Sequence, residues 1–330
     1  MKRSPVNVVA GLVAALSLAL AGCSPAATPA GSASGSAAAT TYRVGIAQLV
    51  SHPSLDAARE GFKQALTDAG LQVTYDEKNA QADQATNTTI ASTFNGANLD
   101  LVLAIATPTA QAAAQSITTA PVLFTAVTDP VAAQLVDSLE SPGGNVTGTS
   151  DLNPVAEQIA LVKKVKPDAQ TVGVIYSSGE VNSQVQVEMA REAAAAQGLQ
   201  LVEKTITTTA EVQQAASSLE VDAIYVPTDN NVVSGLESVL QVAETKKIPV
   251  IAGEGDSVAK GAVITYGLDY SKLGYQTGEM AAKILTQGAK PADLPVETQK
   301  DLTLYVNKAA AERMGVTLPD DVLAGAEVVG

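Results

Sequence analysis

Polar side chains that could hold a small molecule occur in groups directly after apolar stretches of the sequence. The groups are Ser51-His52-Pro53-Ser54, Thr107-Pro108-Thr109, Thr128-Asp129-Pro130, Ser177-Ser178, Thr228-Asp229-Asn230-Asn231 and Glu254-Gly255-Asp256. The first three supply hydroxyls and few positive charges, a combination suited to holding a carboxylate by hydrogen bonds. Asp229 and Glu254 in the later groups could hold an ammonium group. Together the groups favour recognition of both ends of an amino acid.

Each of these positions also has a purely structural interpretation, because Ser, Thr, Asp and Asn commonly cap helices and form turns. Tyr176 ends an apolar stretch and could offer its ring to a ligand, or it could pack in the core. His52 could stack on a ligand or hydrogen-bond to it, or it could cap its loop. Capping explains any single position more readily than it explains all of the groups together.

The N-terminal residues have the pattern of an export signal. Lys2 and Arg3 precede an apolar run that is too short to span a bilayer. The run ends in Leu20-Ala21-Gly22-Cys23, which resembles the bacterial lipobox, whose cysteine is acylated and becomes the new amino terminus. We predict a signal peptide over residues 1–22, followed by the lipidated Cys23 and a flexible tether over residues 23–41, which contain only small, uncharged residues. The alternative is an ordinary cleaved signal with an unrelated cysteine.

Catalytic and metal-binding chemistry has few candidate residues in this chain. His52 is the only histidine, Cys23 is the only cysteine, and no G-x-S-x-G motif is present. A hydrolase that uses His52 with a serine and an aspartate is therefore a weak alternative. With Cys23 acylated, thiol catalysis, disulfides and His/Cys metal clusters are excluded. We expect no enzymatic activity, no metal and no cofactor.

Length and charge limit the class of protein and its partners. The chain has 330 residues and a formal net charge of −14 at pH 7. The part that follows the tether is long enough to form two domains with separate cores. Such an acidic body would be repelled by phosphate backbones, so nucleic acid is not an expected partner.

The body carries a degenerate internal duplication. Apolar segments begin at Leu71, Asp100 and Ala120, and their counterparts begin at Leu199, Val221 and Ile248. Each half also has a leading strand with a Val-Gly core, and segments with apolar residues at helical spacing separate the strands. Strands that alternate with helices predict parallel sheets covered on both faces. We therefore predict an α/β protein with two doubly wound parallel-sheet lobes and a ligand cleft between them.

The connections between the lobes are predicted from the irregular passages. Asp151-Leu152-Asn153 is the expected first crossover, and Asp269 precedes a helix that is expected to return the chain to the first lobe. Asp151 and Asp269 are thus hinge candidates. The N-terminal lobe would comprise residues 42–151 plus about 268–300, and the C-terminal lobe residues 152–267 plus about 301–330. Ligands of open α/β sheets bind at the carboxyl ends of the strands, where the polar groups lie.

Long blocks of the body resemble a known protein family. The blocks are VGIAQLVSHPSLDAAREGF, DLVLAIATPTAQAAA, VLFTAVTDPVAAQLV, PGGNVTGTSDLNPVAEQI, TVGVIYSSGEVNSQVQ and VDAIYVPTDNNV. In this order they resemble the substrate-binding lipoproteins of ABC importers of the tryptophan/tyrosine-binding type. The resemblance implies a type I periplasmic-binding-protein fold, a hinge of three connections, and delivery of a small ligand to a membrane permease that has a cytoplasmic ATPase.

The resemblance also implies a pocket, a ligand class and a location. The pocket residues carried over are His52, Thr107, Thr109, Thr128, Asp129, Tyr176, Asp229, Asn230 and Glu254. The family's ligand, where assigned, is an aromatic amino acid. We also predict a monomer, held outside the cytoplasm at the bacterial cell membrane by the lipid anchor at Cys23.

Two alternatives remain within the binding class. A sugar or other metabolite is the second candidate ligand, although no arginine of the body stands at a predicted strand end. A sensor that presents its ligand state to a membrane kinase would need the same fold and tether as a transport protein. The sequence does not separate sensing from transport.

Overall fold

The computed structural model describes residues 40–330, which form one compact unit with its own hydrophobic cores. The predicted signal peptide, the lipid attachment at Cys23 and nearly all of the predicted tether lie outside the described residues. Because they contain complete cores, residues 40–330 are expected to fold without the preceding segment. No helix within residues 40–330 is both long and apolar enough to cross a membrane.

The regular elements of residues 40–330 alternate between strands and helices along most of the chain. The strands are β1 (Thr41–Gln48), β2 (Gln72–Asn79), β3 (Leu101–Ile105), β4 (Val122–Val127), β5 (Val146–Ser150), β6 (Thr171–Ser177), β7 (Gln200–Ile206), β8 (Ala223–Val226), β9 (Val250–Ala252), β10 (Ile264–Gly267), β11 (Glu297–Thr298), β12 (Thr303–Val306) and β13 (Glu327–Val328). The helices are α1 (Pro53–Asp68), α2 (Gln84–Asn95), α3 (Thr107–Ser116), α4 (Val155–Val165), α5 (Val181–Ala196), α6 (Val212–Ser217), α7 (Asn230–Ser234), α8 (Leu236–Lys246), α9 (Gly255–Lys260), α10 (Tyr270–Gln287), α11 (Lys308–Arg313) and α12 (Asp320–Leu323).

Local sequence explains where several helices begin and end. Pro53 is the first residue of α1, where its fixed φ suits the helix and its missing N–H is not needed. Asp269 precedes α10 and accepts hydrogen bonds from the backbone N–H groups of Ser271 and Lys272 at 3.0 and 3.2 Å. Gly288 follows α10 with a φ of 68°, a left-handed conformation that ends the helix.

The strands form two sheets, one in each lobe. The first sheet has the order β11-β5-β4-β3-β1-β2, and its strand pairs are all parallel. Strands β3, β4 and β5 are buried along their whole length, as expected for parallel strands with helices on both faces. The second sheet has the order β13-β12-β10-β9-β8-β6-β7.

The second sheet contains one antiparallel pair, β10 with β12, which departs from the predicted purely parallel arrangement. Strand β10 runs towards the connections between the lobes, and the chain leaves it there for α10. Strand β12 enters the second sheet from those same connections, so it must run in the opposite direction. The remaining pairs of this sheet are parallel. The predicted α/β class with two lobes is confirmed, with this one local difference.

The chain passes between the two sheets three times. Residues 151–154 join β5 of the first sheet to α4, and residues 268–269 join β10 of the second sheet to α10. Residues 299–302 then lead from β11 back to β12. Helix α10 packs on the core of the first lobe through Leu273, Met280 and Ile284. Three connections between two lobes are the arrangement that allows a cleft to open and close about a hinge.

Helices α1 and α10 pack against each other with their backbones in close contact. A Cβ atom on Gly274 would overlap the carbonyl of Ala58, and one on Gly61 would overlap the carbonyl of Ser271. Gly278 faces the carbonyl of Phe62 in the same way. Because the first residues of α1 and α10 both reach the space between the lobes, this packing fixes their relative position.

Candidate functional site

A cavity lies between the two lobes and is lined by side chains from both of them and from the connections. The first lobe contributes His52, Ser54, Leu55, Ala126 and Thr128. The connections contribute Asp151 and Tyr270, and the second lobe contributes Asn182, Thr228, Asn230, Val233 and Glu254. About 310 Å³ of space at this site, part of it open to solvent, is not filled by protein atoms, and only a small part of it is wide enough for a water molecule.

Three long helices begin at this cavity. His52 precedes α1, Asn182 is the second residue of α5, and Tyr270 is the first residue of α10. The residues that precede α1 and α5, His52 and Glu180, make no side-chain capping hydrogen bond to their own helices. The N–H groups and the positive dipole end of a helix favour a negative group nearby. The cavity therefore offers positions for a carboxylate without presenting a lysine or an arginine.

Asp151 is a buried carboxylate at the hinge end of the cavity. Its Oδ1 accepts a hydrogen bond from Thr128 Oγ1 at 3.0 Å, and its Oδ2 accepts one from the Tyr270 hydroxyl at 2.6 Å. Burial raises the pKa of Asp151, and these two hydrogen bonds oppose that rise. No cationic side chain of residues 40–330 is among the groups that act on its pKa. The carboxylate thus has hydroxyl donors and no neutralising charge, and it borders the cavity.

Glu254 also lines the cavity, although its carboxylate is engaged locally. It precedes α9 and accepts hydrogen bonds from the Ser257 backbone N–H, at 3.1 Å to Oε1 and 3.0 Å to Oε2, as well as from the Ser257 hydroxyl. Burial, followed by the negative charge of Asp256, raises the pKa of Glu254 to about 7. Glu254 is therefore a helix cap that also adds a carboxylate to the second-lobe wall.

Asp229 is buried behind the cavity wall. Its carboxylate accepts hydrogen bonds from the Ser177 N–H at 2.5 Å, the Ser177 hydroxyl at 3.0 Å and the Ser183 hydroxyl at 2.7 Å. It also caps α7 by accepting from the Val232 N–H at 2.9 Å. The side chain is fully buried and does not line the cavity. In this structure Asp229 supports the wall, and its neighbour Asn230 reaches the cavity.

The other predicted site residues fall into two groups. His52, Thr128, Asn230 and Glu254 line the cavity, as does the hinge candidate Asp151, whereas the following residues lie outside its lining: Thr107, Thr109, Asp129, Tyr176, Asp229 and Asp269. Asp129 accepts from the N–H groups of Val131 and Ala132 in the turn that follows it. Tyr176 donates from its hydroxyl to Glu203 on the neighbouring strand at 3.2 Å. Thr107 and Thr109 are buried in the first turn of α3.

Sequence reasoning did not single out Asn182, Tyr270 or the apolar residues Leu55, Ala126 and Val233 as lining residues. Asn182 and Tyr270 each stand in the first turn of a helix that follows a strand end. That position is the only sequence signal that could have indicated them. Nothing in the sequence distinguishes the apolar lining residues from the residues of the core.

Several buried polar atoms at the cavity have no hydrogen-bond partner within residues 40–330. They are His52 Nδ1, Ser54 Oγ, Asn182 Oδ1 and Thr228 Oγ1. A buried polar atom without a partner costs about 1–3 kcal/mol, so native proteins rarely keep a cluster of them. Four such atoms around one cavity indicate a place where a polar ligand completes the hydrogen bonding.

The titratable groups near the cavity predict how stability depends on pH. Burial, then the charge of Asp229, raises the pKa of Glu180 to about 8, while that of Glu254 is about 7. A carboxyl whose pKa is raised by folding binds more protons in the folded state, so its stabilising contribution is lost as the pH rises. Burial lowers the pKa of His52 to about 4, although a hydrogen bond with Asn230 and the charge of Asp56 oppose this shift. Below the ordinary histidine pKa of 6.5 the unfolded state therefore binds more protons at His52, and this residue makes stability rise with pH.

We therefore expect the free energy of unfolding of residues 40–330 to fall between about pH 7.5 and pH 8.5, where His52 is almost entirely neutral in both states. The slope for each such carboxyl is at most about 1.4 kcal/mol per pH unit. Urea unfolding at several pH values measures it, and Glu180→Gln should flatten the curve. A free energy of unfolding that stays constant or rises over this range would contradict the prediction.

Comparison with known proteins identifies the family. The family model described as ABC transporter substrate binding protein matches residues 43–329. The chain is similar to a protein named tyrosine-binding protein from Clostridioides difficile, with 47% identity over 271 residues that cover 80% of this chain and 78% of the relative.

Two solved structures are informative about the arrangement of the lobes. One is described as an ABC domain in complex with L-Trp from Streptococcus pneumonia, with 37% identity, coverage of 88% of this chain and 100% of that chain, and a TM-score of 0.85. The other is the ligand-free, open structure of a substrate-binding protein with adhesive properties from Clostridium difficile, with 46% identity, coverage of 87% and 99%, and a TM-score of 0.66.

The open protein has the higher sequence identity to this chain, whereas the tryptophan complex has the higher TM-score. The present structure as a whole is thus closer to the tryptophan complex than to the open protein. This agrees with the narrow cavity and with the burial of the side chains that line it. From the extent of the family match and the identity to its relative, the chain belongs to the ABC transporter substrate binding proteins, a family of extracytoplasmic binding proteins and not of enzymes.

Proposed function

We propose that this protein captures an aromatic amino acid outside the cytoplasm, between its two lobes, and presents it to an ABC permease. The observation that carries the proposal is the cavity between the lobes, where a buried, unneutralised carboxylate lies among polar atoms that lack partners. The similarity to a tyrosine-binding protein and to a tryptophan complex supports the ligand class.

Asp151 is the proposed receptor for the ligand's ammonium group. An ammonium ion supplies the positive charge that the buried carboxylate lacks, and an ion pair in a closed cavity is screened less than one at the surface. The hydrogen bonds from Thr128 and Tyr270 hold the carboxylate in one orientation. Because Asp151 belongs to the first connection between the lobes, a ligand bound there contacts the hinge itself.

The ligand's carboxylate is proposed to lie against the first lobe. The N-terminus of α1 is free of a side-chain cap there, and the cavity-lining hydroxyl of Ser54 has Asp256 as its only neighbouring hydrogen-bonding side chain within residues 40–330, at a distance beyond that of a regular hydrogen bond. Helix N–H groups and a hydroxyl hold a carboxylate without a basic residue. Burial keeps His52 neutral at pH 7, so its imidazole acts as a hydrogen-bonding group and not as a cation.

The aromatic side chain of the ligand is proposed to pack on Leu55, Ala126 and Val233. These are the apolar side chains among the lining residues, and they come from both lobes. The cavity here is narrower than a tyrosine, so we expect the bound state to be slightly more open. A ligand that contacts both lobes binds the closed arrangement more tightly than the open one, so it shifts the protein towards the closed arrangement. The closed arrangement is the form that a permease would recognise.

The proposal includes a lipid anchor in the membrane and a permease as the partner. Lipid attachment at Cys23 would hold the body at the outer face of the cell membrane, and a monomer would dock on a permease that has a cytoplasmic ATPase. The lipobox-like sequence and the tether composition support the anchor. Labelling with a radioactive fatty acid, lost in Cys23→Ala, would test it.

Thermal unfolding of residues 40–330 against the twenty amino acids and a panel of sugars tests the ligand class. A ligand that binds only the folded state raises the unfolding temperature by mass action. We expect the largest rise with tyrosine or tryptophan, confirmed by calorimetric titration. A rise with sugars alone would contradict the proposal, as would the absence of any rise with aromatic amino acids.

A further inference from the structure

The second-lobe wall of the cavity presents an amide whose orientation is fixed by its neighbours. Asn182 Nδ2 donates to Glu180 Oε2 at 2.9 Å and to the carbonyl of Thr228 at 3.1 Å. A main-chain carbonyl only accepts hydrogen bonds, so the NH₂ group must point towards it. The Asn182 carbonyl oxygen, Oδ1, is therefore on the other side, where it is buried without a partner within residues 40–330 and its residue lines the cavity.

Two buried acidic side chains behind the wall, Glu180 and Asp229, hold this amide in place. Glu180 accepts from Asn182, from Asn230 Nδ2 at 2.6 Å and from Asn231 Nδ2 at 3.3 Å. Asp229 is fixed by two serines and the start of α7, and its negative charge acts on Glu180. Glu180 does not line the cavity, yet it orients Asn182 and Asn230, which both do.

The chemistry of this wall differs from that of the hinge end. Asn182 Oδ1 is neutral and accepts only, and Thr228 Oγ1, from another lining residue of this wall, also lacks a partner within residues 40–330. Val233 adds an apolar side chain to the same wall. A neutral acceptor next to an apolar surface suits an aromatic ring that carries one N–H or O–H group. An ammonium group is held better by a carboxylate, and Asp151 offers one.

We propose that Asn182 accepts a hydrogen bond from the polar group on the ligand's side chain, and that Glu180 is the positioning residue that keeps Asn182 Oδ1 turned towards the ligand. This inference rests on the proposed function, and it adds the residue that selects among aromatic amino acids. Tyrosine and tryptophan can donate this hydrogen bond, whereas phenylalanine leaves Asn182 Oδ1 unpaired. A site built to receive a donor rejects the ligand that lacks it.

The test is the ratio of dissociation constants for phenylalanine and tyrosine, measured by calorimetric titration of residues 40–330. Both ligands need the same lobe closure and share the same amino-acid groups, so a loss of stability alone does not change the ratio. We expect a ratio of about 10 or more in the unmodified protein, because a buried acceptor would otherwise lose its partner. In Asn182→Leu the ratio should fall below about 3, with phenylalanine binding retained. In Glu180→Leu, which removes the side-chain acceptor of Asn182 Nδ2 and Asn230 Nδ2, it should fall in the same direction.

Asn87→Leu provides the matched control. Asn87 is a buried asparagine of the first lobe whose Nδ2 donates to the Pro108 carbonyl at 3.0 Å and whose Oδ1 lacks a partner, but it does not line the cavity. Its replacement should leave the ratio unchanged. An unchanged ratio in both Asn182→Leu and Glu180→Leu, with tyrosine still bound, would overturn this inference and leave the proposed function intact. Failure of the unmodified protein to bind any aromatic amino acid would overturn the proposed function instead.

Discussion

Replacing Asp151 with asparagine is expected to weaken tyrosine binding by about 100-fold, which corresponds to about 2.7 kcal/mol. Asparagine has nearly the same shape but no negative charge, so the ligand's ammonium group would be buried without its partner. The lobes would still close, because the contacts of Leu55 and Val233 with the ligand's ring do not depend on this charge. Calorimetric titration of residues 40–330 with tyrosine measures the change.

The effect of Asp151→Asn on the stability of the ligand-free protein should be small or slightly stabilising. Burial raises the pKa of Asp151, which means that keeping its charge inside the protein is unfavourable. A neutral amide avoids that cost, although it changes the hydrogen bond with either Thr128 or Tyr270. We therefore expect the free energy of unfolding without ligand at pH 7 to change by no more than about 1 kcal/mol.

A ligand without an amino group provides the control for the Asp151 prediction. The unmodified protein should bind 3-(4-hydroxyphenyl)propionate far more weakly than tyrosine, and Asp151→Asn should reduce this preference. If the preference persists in Asp151→Asn, the ammonium group is held elsewhere. Glu254 would then be the next candidate, since it is the other carboxylate among the lining residues.

Replacing Gly274 with alanine is expected to destabilise residues 40–330 by about 3 kcal/mol. The added methyl group would overlap the carbonyl of Ala58, which is main chain and cannot rotate away. Helices α1 and α10 would have to separate, and they form much of one face of the first lobe's core. Urea unfolding at pH 7 measures the loss as a lower midpoint at an unchanged slope.

Gly325→Ala is the matched control for the helix contact. Gly325 has open space around the position of an added Cβ atom and no positive φ, so alanine there should change stability by less than about 0.5 kcal/mol. If Gly274→Ala were as harmless as Gly325→Ala, the close contact of the two helices would not be needed for the fold. If Gly274→Ala folds poorly, Gly278→Ala tests the same contact one turn further along α10, where the neighbouring atoms are Ala65 Cβ and the Phe62 carbonyl.

Asp151 and Asp229 show the limit of sequence reasoning about the site. Both are acidic residues that follow predicted strands, and the sequence assigned the first to the hinge and the second to the ligand. In the structure Asp151 lines the cavity, whereas Asp229 is surrounded by Ser177, Ser183 and the start of α7. Whether a carboxylate oxygen already has hydrogen-bond partners depends on residues 46 and 52 positions away for Asp229, and 23 and 119 positions away for Asp151, and no local pattern records those contacts.

The sequence by itself determined the two-lobed α/β fold, because continuous apolar strands that alternate with amphipathic helices can bury their surface in few other ways. It also determined that the polar groups collect at strand ends, since the glycine, proline and capping residues that end strands and begin helices are local signals. The tertiary structure decided which of those groups face the cavity. It joined Asn182 to Glu180 by a hydrogen bond, brought Tyr270 to Asp151 through the packing of α10 on α1, and placed Tyr176 against Glu203. These contacts form only when segments that are distant in the sequence pack together. A local sequence pattern therefore does not reveal them.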